Sequence, residues 1–127
     1  MGNSNVEDQL PDVAEFERAF GLQCEQSLRE VLGATGFTSM IHYFIEHALS
    51  LTDSAERPAE FDDALSVLFN PTGAVLLESR ILKRFYHSIG MKFEWNDGRV
   101  FKEEVEEALK QFRKRMHQPP TRSQEGA

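Results

Sequence analysis

NPTGAVLLESRILKRFYHSIG, residues 70–90, is the stretch of sequence that decides the fold. Asn70 can cap a helix whose first position is Pro71, and Gly90 suits the left-handed turn that ends one. Between these signals, apolar residues occupy more positions than the single stripe of a surface helix. We therefore predict a helix over 71–89 that lies at the centre of the fold, contacted on several sides, or that carries an interface.

Three more helices are predicted before this one, because apolar residues recur at helical spacing in each. The first begins near Asp12 and stops at Gly33, and Gly21 is a candidate break that would divide it into two pieces. The second follows Gly36 and carries a stripe that includes Ile45. The third begins at Pro58 and ends before Asn70, because Pro71 steers the residue before it away from helical geometry. Their approximate extents are 12–33, 38–49 and 58–69, and the polar stretch 52–57 is predicted to connect the last two.

The period of the sequence changes after residue 90. Phe93 and Trp95 alternate with charged residues, 96–98 (Asn-Asp-Gly) is a turn signal, and 99–101 can return as a second strand. We expect a short β-hairpin here. A two-stranded hairpin is marginal alone, so it must lie on the helices, with Trp95 as the anchor.

The predicted fold class is mostly α, with about five helices around one core and a short β-hairpin before the last helix. The last helix, from about 102 to 117, has acidic first turns and basic last turns, which match the helix dipole. A flexible leader (1–11) and a disordered tail (118–127) are predicted to flank a single helical domain over 12–117. The predicted core positions are Phe44, Phe61, Leu65, Phe69, Leu77, Ile81, Phe85, Trp95, Leu109 and Phe112.

The charge of the chain is negative and unevenly spread. The formal net charge is −7; residues 1–80 carry 4 Lys+Arg against 14 Asp+Glu, and residues 81–127 carry 10 against 7. Nucleic-acid binding rests on phosphate neutralisation, so this balance argues against it. The asymmetry suits self-association or an acidic-patch partner, or it reflects only solvated helix faces. No apolar run is long enough for a membrane helix and no signal-peptide pattern is present, so we expect a cytoplasmic protein without membrane contact.

No constellation in the sequence points to catalysis. Cys24 is the only cysteine, which excludes an internal disulfide and favours a buried, inert thiol. His42 and His47 are five positions apart, whereas a zinc-binding HExxH helix needs a spacing of four. The sequence has neither a GxSxG motif nor a phosphate-binding glycine loop. We therefore nominate no catalytic residue, no cofactor and no metal ligand, and we do not expect an enzyme.

Three polar residues are candidates for interaction or structural roles: Glu78, Arg84 and Arg99. Glu78 lies among apolar residues of the central helix, where a buried carboxylate needs a partner; a structural ion pair or a helix cap competes with a functional site. Arg84 and Arg99 would face phosphates in a winged-helix DNA binder. Against that reading stand the negative charge and the lack of a recognition helix rich in Arg, Asn or Gln.

One resemblance to a known family is carried by patterns of helix packing. The segments are 28–33 (LREVLG), 61–69 (FDDALSVLF) and 73–93, which holds a Leu-Glu pair, an Ile, a Tyr and a Gly in order. Over about residues 20–115 the chain resembles the Nitrosopumilus output domain, a small archaeal family. The resemblance implies a signalling role, an archaeal source and a receiver partner on a separate protein. It brings no catalytic residues.

These observations predict a non-catalytic protein-interaction or signalling-output module. Its expected partner is another protein or a second copy of the chain in a homodimer, rather than nucleic acid or a membrane. Two alternatives stay open. One is a nucleic-acid-binding transcriptional regulator of winged-helix type, and the other is a small-molecule sensor with an apolar pocket between helices.

Overall fold

The structure, a computed structural model, describes the backbone of residues 2–117 and the side chains of residues 12–117. This part of the chain forms four helices and no β-strand: α1 (Gly2–Glu46), α2 (Asp53–Glu56), α3 (Pro58–Ser88) and α4 (Phe101–Met116). The predicted α class is confirmed, whereas the five helices and the hairpin are not. The predicted tail, Met1 and the side chains of the predicted leader lie outside the described residues.

α1 joins two of the predicted helices across a bend at Gly33. This residue has φ 74° and ψ 174°, a conformation that only glycine adopts without strain. The helix therefore stops where the sequence predicts and resumes at once in a new direction. The bend places the Arg29 guanidinium 4.2 Å from the ring centroid of Phe37 on the following arm.

α3 joins the third and fourth predicted helices across a second bend at Asn70, which has φ 60° and ψ 166°. Asn70 Oδ1 accepts a hydrogen bond from the Gly73 amide at 2.8 Å, so the predicted cap is formed. On a straight helix Asp62 and Glu78 would lie about 24 Å apart. Here the Asp62 carboxyl group lies close enough to Glu78 to raise the pKa of that residue, so the two arms of α3 fold back on one another.

The predicted hairpin is wrong; residues 91–100 form an irregular loop instead. Its turn does exist, because the Arg99 amide donates to the Asn96 carbonyl at 3.1 Å. No second strand is needed, since the buried carboxylate of Glu104 on α4 accepts the Asn96 amide at 3.0 Å. The Trp95 indole is partly buried and donates to the Arg99 carbonyl at 3.1 Å. The buried Glu104 carboxylate and hydrogen bonds within the loop thus take the place of the hydrogen bonds between two strands.

The polar stretch 52–57 is not a plain connection, because it forms the single turn of α2. Asp53 is buried and accepts hydrogen bonds from the Ser50 amide at 2.9 Å and from Arg57 Nε at 3.0 Å. The Arg57 guanidinium holds the pKa of Asp53 below its usual range and also donates to the Ala48 carbonyl at 2.9 Å. This charge-assisted network fixes the turn.

Phenylalanine rings from all three long helices form the core. Phe85 lies 5.4 Å from Phe16 and 5.2 Å from Phe20, measured between ring centroids. Seven of the predicted core positions are buried, namely Phe44, Phe61, Leu65, Leu77, Ile81, Phe85 and Phe112. The other three, Phe69, Trp95 and Leu109, pack against this core while partly exposed.

The two ends of the core meet. His117 Nε2, just after α4, lies 2.8 Å from Asp12 Oδ2 near the start of the described side chains. One turn inward, the rings of Phe16 and Phe112 have centroids 5.7 Å apart. α1 and α4 are therefore joined at this end of the molecule by both a polar and an apolar contact.

The second arm of α1 has a different register from the one predicted. Phe37, Met40 and Phe44 form its buried face, whereas Ile45 is 68% exposed. The stripe starts at Phe37, four residues after the Gly33 bend, so it ends at Phe44 and leaves Ile45 on the outer side. The arm ends at Glu46, before the remainder of the predicted stripe.

Candidate functional site

An apolar groove lies where the bends of α1 and α3 come together. We call it the bend groove. It has a cavity volume of 570 Å³, and its principal apolar side chains are Val31, Leu32, Val67, Phe69, Leu76 and Leu77. The first two precede the Gly33 bend, and the other four lie on both sides of Asn70. The groove is thus a direct product of the two interrupted helices.

Several of these side chains face water although they are large and apolar. Val67 is 69% exposed, Leu76 is 67% exposed and Val31 is 46% exposed. Single exposed apolar residues are normal on a protein surface, but residues that gather around one cavity mark an interaction site or a ligand groove. The wide apolar set of the predicted central helix thus serves two purposes: Leu77 packs inward while Leu76 points outward.

The bend groove continues at Val67 into a smaller cleft between the second arm of α1 and the first arm of α3. This cleft has a volume of 240 Å³. Tyr43 and His47 stack along one wall with ring centroids 4.0 Å apart. The exposed carboxylates of Glu60 and Asp63 lie along the other wall together with Arg57, and within the described residues neither carboxylate has a cation within 4.0 Å.

The basic residues of this half of the chain are already engaged. Residues 12–80 contain no lysine, and each of their arginines lies within 4.0 Å of a carboxylate. The pairs are Arg18 with Glu15 (3.3 Å), Arg29 with Glu25 (2.9 Å), Arg57 with Asp53 (3.0 Å) and Arg80 with Glu30 (3.7 Å). Glu30 is shared with Arg84, so the excess of negative charge lies in the cleft, where Glu60 and Asp63 outnumber Arg57.

Glu78 is buried in the core beneath this surface, and only 1% of it is exposed. Burial raises its pKa to about 10, and the hydrogen bond and negative charge of Asp62 act in the same direction. Glu78 is therefore protonated at neutral pH. The ion pair considered from the sequence is not formed, because no cation of residues 12–117 lies within 4.0 Å of it. Its Oε2 atom has no partner in this part of the chain.

The other two candidate residues serve the fold. Arg84 donates to Glu30 at 2.7 Å and to Gln26 at 3.5 Å, which ties the second arm of α3 to α1. Arg99 lies 3.8 Å from the buried carboxylate of Glu104. The three predicted residues thus enter three separate contacts rather than one site.

The sequence held signals for the residues that were missed. Asp62 and Glu78 lie equally far before and after Asn70, so reading that break as a fold-back would have paired them. Val75 and Leu76 exceed the stripe that one core face needs, and both are more than 40% exposed. Apolar residues outside the core-facing stripe of this helix therefore indicated an apolar surface groove.

Three further features bear on what the described residues can do: the single thiol, the placement of metal-ligating side chains and the apolar character of the helices. Cys24 is fully buried, and burial raises the pKa of its thiol to about 12, so it has no thiolate character at neutral pH. Among residues 12–117, no three His, Cys, Asp or Glu side chains gather where they could hold a metal ion. In the same range, no helix is both long and apolar enough to cross a membrane.

Comparison of the chain with protein-family models, with curated proteins and with solved structures finds no match. The resemblance to the Nitrosopumilus output domain, and the archaeal source that it implies, therefore stay predictions.

Proposed function

We propose that this domain is a non-catalytic protein-interaction module that binds a partner protein through the bend groove. The observation that carries the proposal is the gathering of exposed Val31, Val67 and Leu76 around one apolar cavity. The proposal includes a signalling-output role in the cytoplasm, with the partner on a separate chain, as the resemblance implies.

The size of the exposed apolar surface suits a reversible contact. Complete burial of a Val or Leu side chain is worth about 1.5–3 kcal/mol, so three half-exposed anchors supply about 1 kcal/mol or more each. Part of that gain is lost to the entropy of association. A moderate affinity, with these anchors as the hot spot, is the expected outcome.

The test compares substitutions of exposed apolar residues inside the groove and outside it. Val67→Gln with Leu76→Gln changes the groove, and Ile45→Gln changes an equally exposed residue that does not line it. Each tagged protein is used to capture partners from extract of its own source after nuclease treatment. The captured protein is then purified and its Kd for each variant is measured.

A partner that survives nuclease, binds wild type and Ile45→Gln directly, and binds the groove variant at least about tenfold more weakly supports the proposal. A partner bound equally by all three proteins contradicts it. Recovery only of nucleic-acid-associated proteins that vanish with nuclease would favour the regulator hypothesis. That hypothesis has lost its hairpin wing in the described residues, where Arg84 and Arg99 are also held by other side chains.

A small-molecule sensor is the second candidate, and the volume of the bend groove favours it. Its 570 Å³ falls in the range of ligand pockets, about 300–1,000 Å³. A thermal-shift screen of apolar metabolites and lipids tests this function. A compound that raises the Tm of wild type and of Ile45→Gln, but not of the groove variant, would establish it.

A further inference from the structure

We propose that the occupant of the bend groove is a basic amphipathic helix of another protein. This inference rests on the proposed function and adds the chemistry of the partner. It uses two independent observations, the apolar lining of the groove and the unbalanced carboxylates beside it.

The shape of the lining fits a helix. Val31 lies on one wall of the groove, and Val67 and Leu76 flank the Asn70 bend on α3. An amphipathic helix presents anchors at positions i, i+3, i+4 and i+7, which form a continuous apolar stripe that can lie along such a groove. A peptide that binds as an added β-strand would instead need an open sheet edge, and residues 2–117 contain no strand.

The charge beside the groove selects the sign of the partner. Val67 joins the groove to the cleft in which Glu60 and Asp63 are exposed and without an ion pair among the described residues. Arg57 lines the same cleft, but its guanidinium is held by Asp53 at 3.0 Å, so the carboxylates of the lining outnumber its one arginine. A helix with lysine or arginine beside its apolar stripe therefore meets an excess of negative charge, which speeds encounter and rejects acidic competitors.

Charge also argues against a second copy of this chain as the occupant. Each copy carries a formal net charge of −7, so two copies repel one another at long range. The basic end of α4 is distant along the chain from the residues that line the groove. If it entered the groove of a second copy, that contact would form against the repulsion between two chains of net negative charge.

The probe is a pair of synthetic peptides of about 16 residues, long enough to form a helix on binding. Both carry leucine at i, i+3, i+4 and i+7. One has lysine at the flanking positions, and the other has glutamate there. A third peptide keeps the lysines and replaces the leucines by serine. Binding to the full chain is measured by fluorescence anisotropy at low and high salt.

We expect the Lys/Leu peptide to bind at least about tenfold more tightly than the other two peptides, and to weaken as salt rises. Val67→Gln with Leu76→Gln should abolish this preference, and Glu60→Gln with Asp63→Asn should reduce it several-fold. Ile45→Gln and Glu94→Gln are the matched controls and should bind as wild type does. Circular dichroism and Tm of every variant establish that each is folded.

Equal binding of the lysine and glutamate peptides would overturn the inference, and so would equal binding of the serine peptide. A sedimentation experiment in which wild type associates with itself and the groove variant does not would overturn it in favour of a second copy. Self-association through the groove would leave the proposed function standing, because the groove would still bind protein. That function fails separately if the captured partner ignores the Val67 and Leu76 substitutions.

Discussion

Replacing Glu78 by glutamine should change the pH dependence of stability more than any other conservative substitution in the core. Glu78 is buried, is protonated at neutral pH and forms its hydrogen bond with Asp62 on the opposite arm of α3. Glutamine has the same shape and carries no charge. Its amide can donate to the Asp62 carboxylate, so the contact across the bend is kept.

The expected magnitude follows from the raised pKa of Glu78. The unfolded chain releases this proton above pH 4.5, whereas the folded chain holds it up to about pH 10. The stability associated with Glu78 is therefore fully present below pH 4.5 and is lost as pH rises through this window. The slope is about 1.4 kcal/mol per pH unit, or about 4 kcal/mol between pH 5 and pH 8. Glu78→Gln removes this slope.

The assay is urea unfolding of wild type and Glu78→Gln at several pH values between 5 and 8. The difference between the two free energies of unfolding isolates Glu78, because carboxylates with lowered pKa, such as Glu30 and Asp53, contribute equally to both proteins. Glu60→Gln, an exposed change on the same helix, is the control and should run parallel to wild type. If Glu78→Gln also runs parallel, Glu78 is ionised in the folded protein and the reasoning is refuted.

Three further predictions follow from the bends, the loop and the thiol. Asn70→Ala should lower the free energy of unfolding by about 1–2 kcal/mol in urea titrations, since it loses the cap to Gly73 and places alanine at φ 60°. Asn70→Gly should lower it less, because glycine adopts this φ without strain. Equal losses for the two variants would contradict this explanation. Glu104→Ala should cost about 1–3 kcal/mol by leaving the Asn96 amide unpaired, and should shift Trp95 fluorescence to the red; an unchanged spectrum would show that the loop does not depend on Glu104. Cys24 should react with a thiol reagent only after denaturant is added; rapid reaction of the native protein would mean that the thiol is accessible.

The sequence was most informative where local chemistry decides the structure. The end of α3 is an example: Gly90 has φ 76°, and the Met91 amide donates to the Tyr86 carbonyl at 2.8 Å, as its glycine signal predicts. The interruptions at Gly33 and Asn70 were also predicted, because backbone preferences act within a few residues.

The errors arose where distant residues decide. Whether an interrupted helix turns back on itself depends on what its arms bury, so the pairing of Asp62 with Glu78 was not visible in local spacing. The alternation of Phe93 and Trp95 suggested a strand, yet a buried carboxylate from α4 satisfies the backbone there instead. Of the candidate site, the sequence supplied Glu78 and the excess apolar width of its helix, but not the groove that the bends create.

The meeting of Asp12 and His117 has a consequence for how the chain can be rearranged. Since these residues are in contact, a short linker could join them while the order of the remaining segments is changed. New ends fit between Asp97 and Gly98, where both residues are exposed and a side chain added at Gly98 would meet no atom within 4 Å. A circular permutant opened there would begin just before α4 and end with the loop after α3, with α2, α3 and α4 uncut and α1 starting at Asp12.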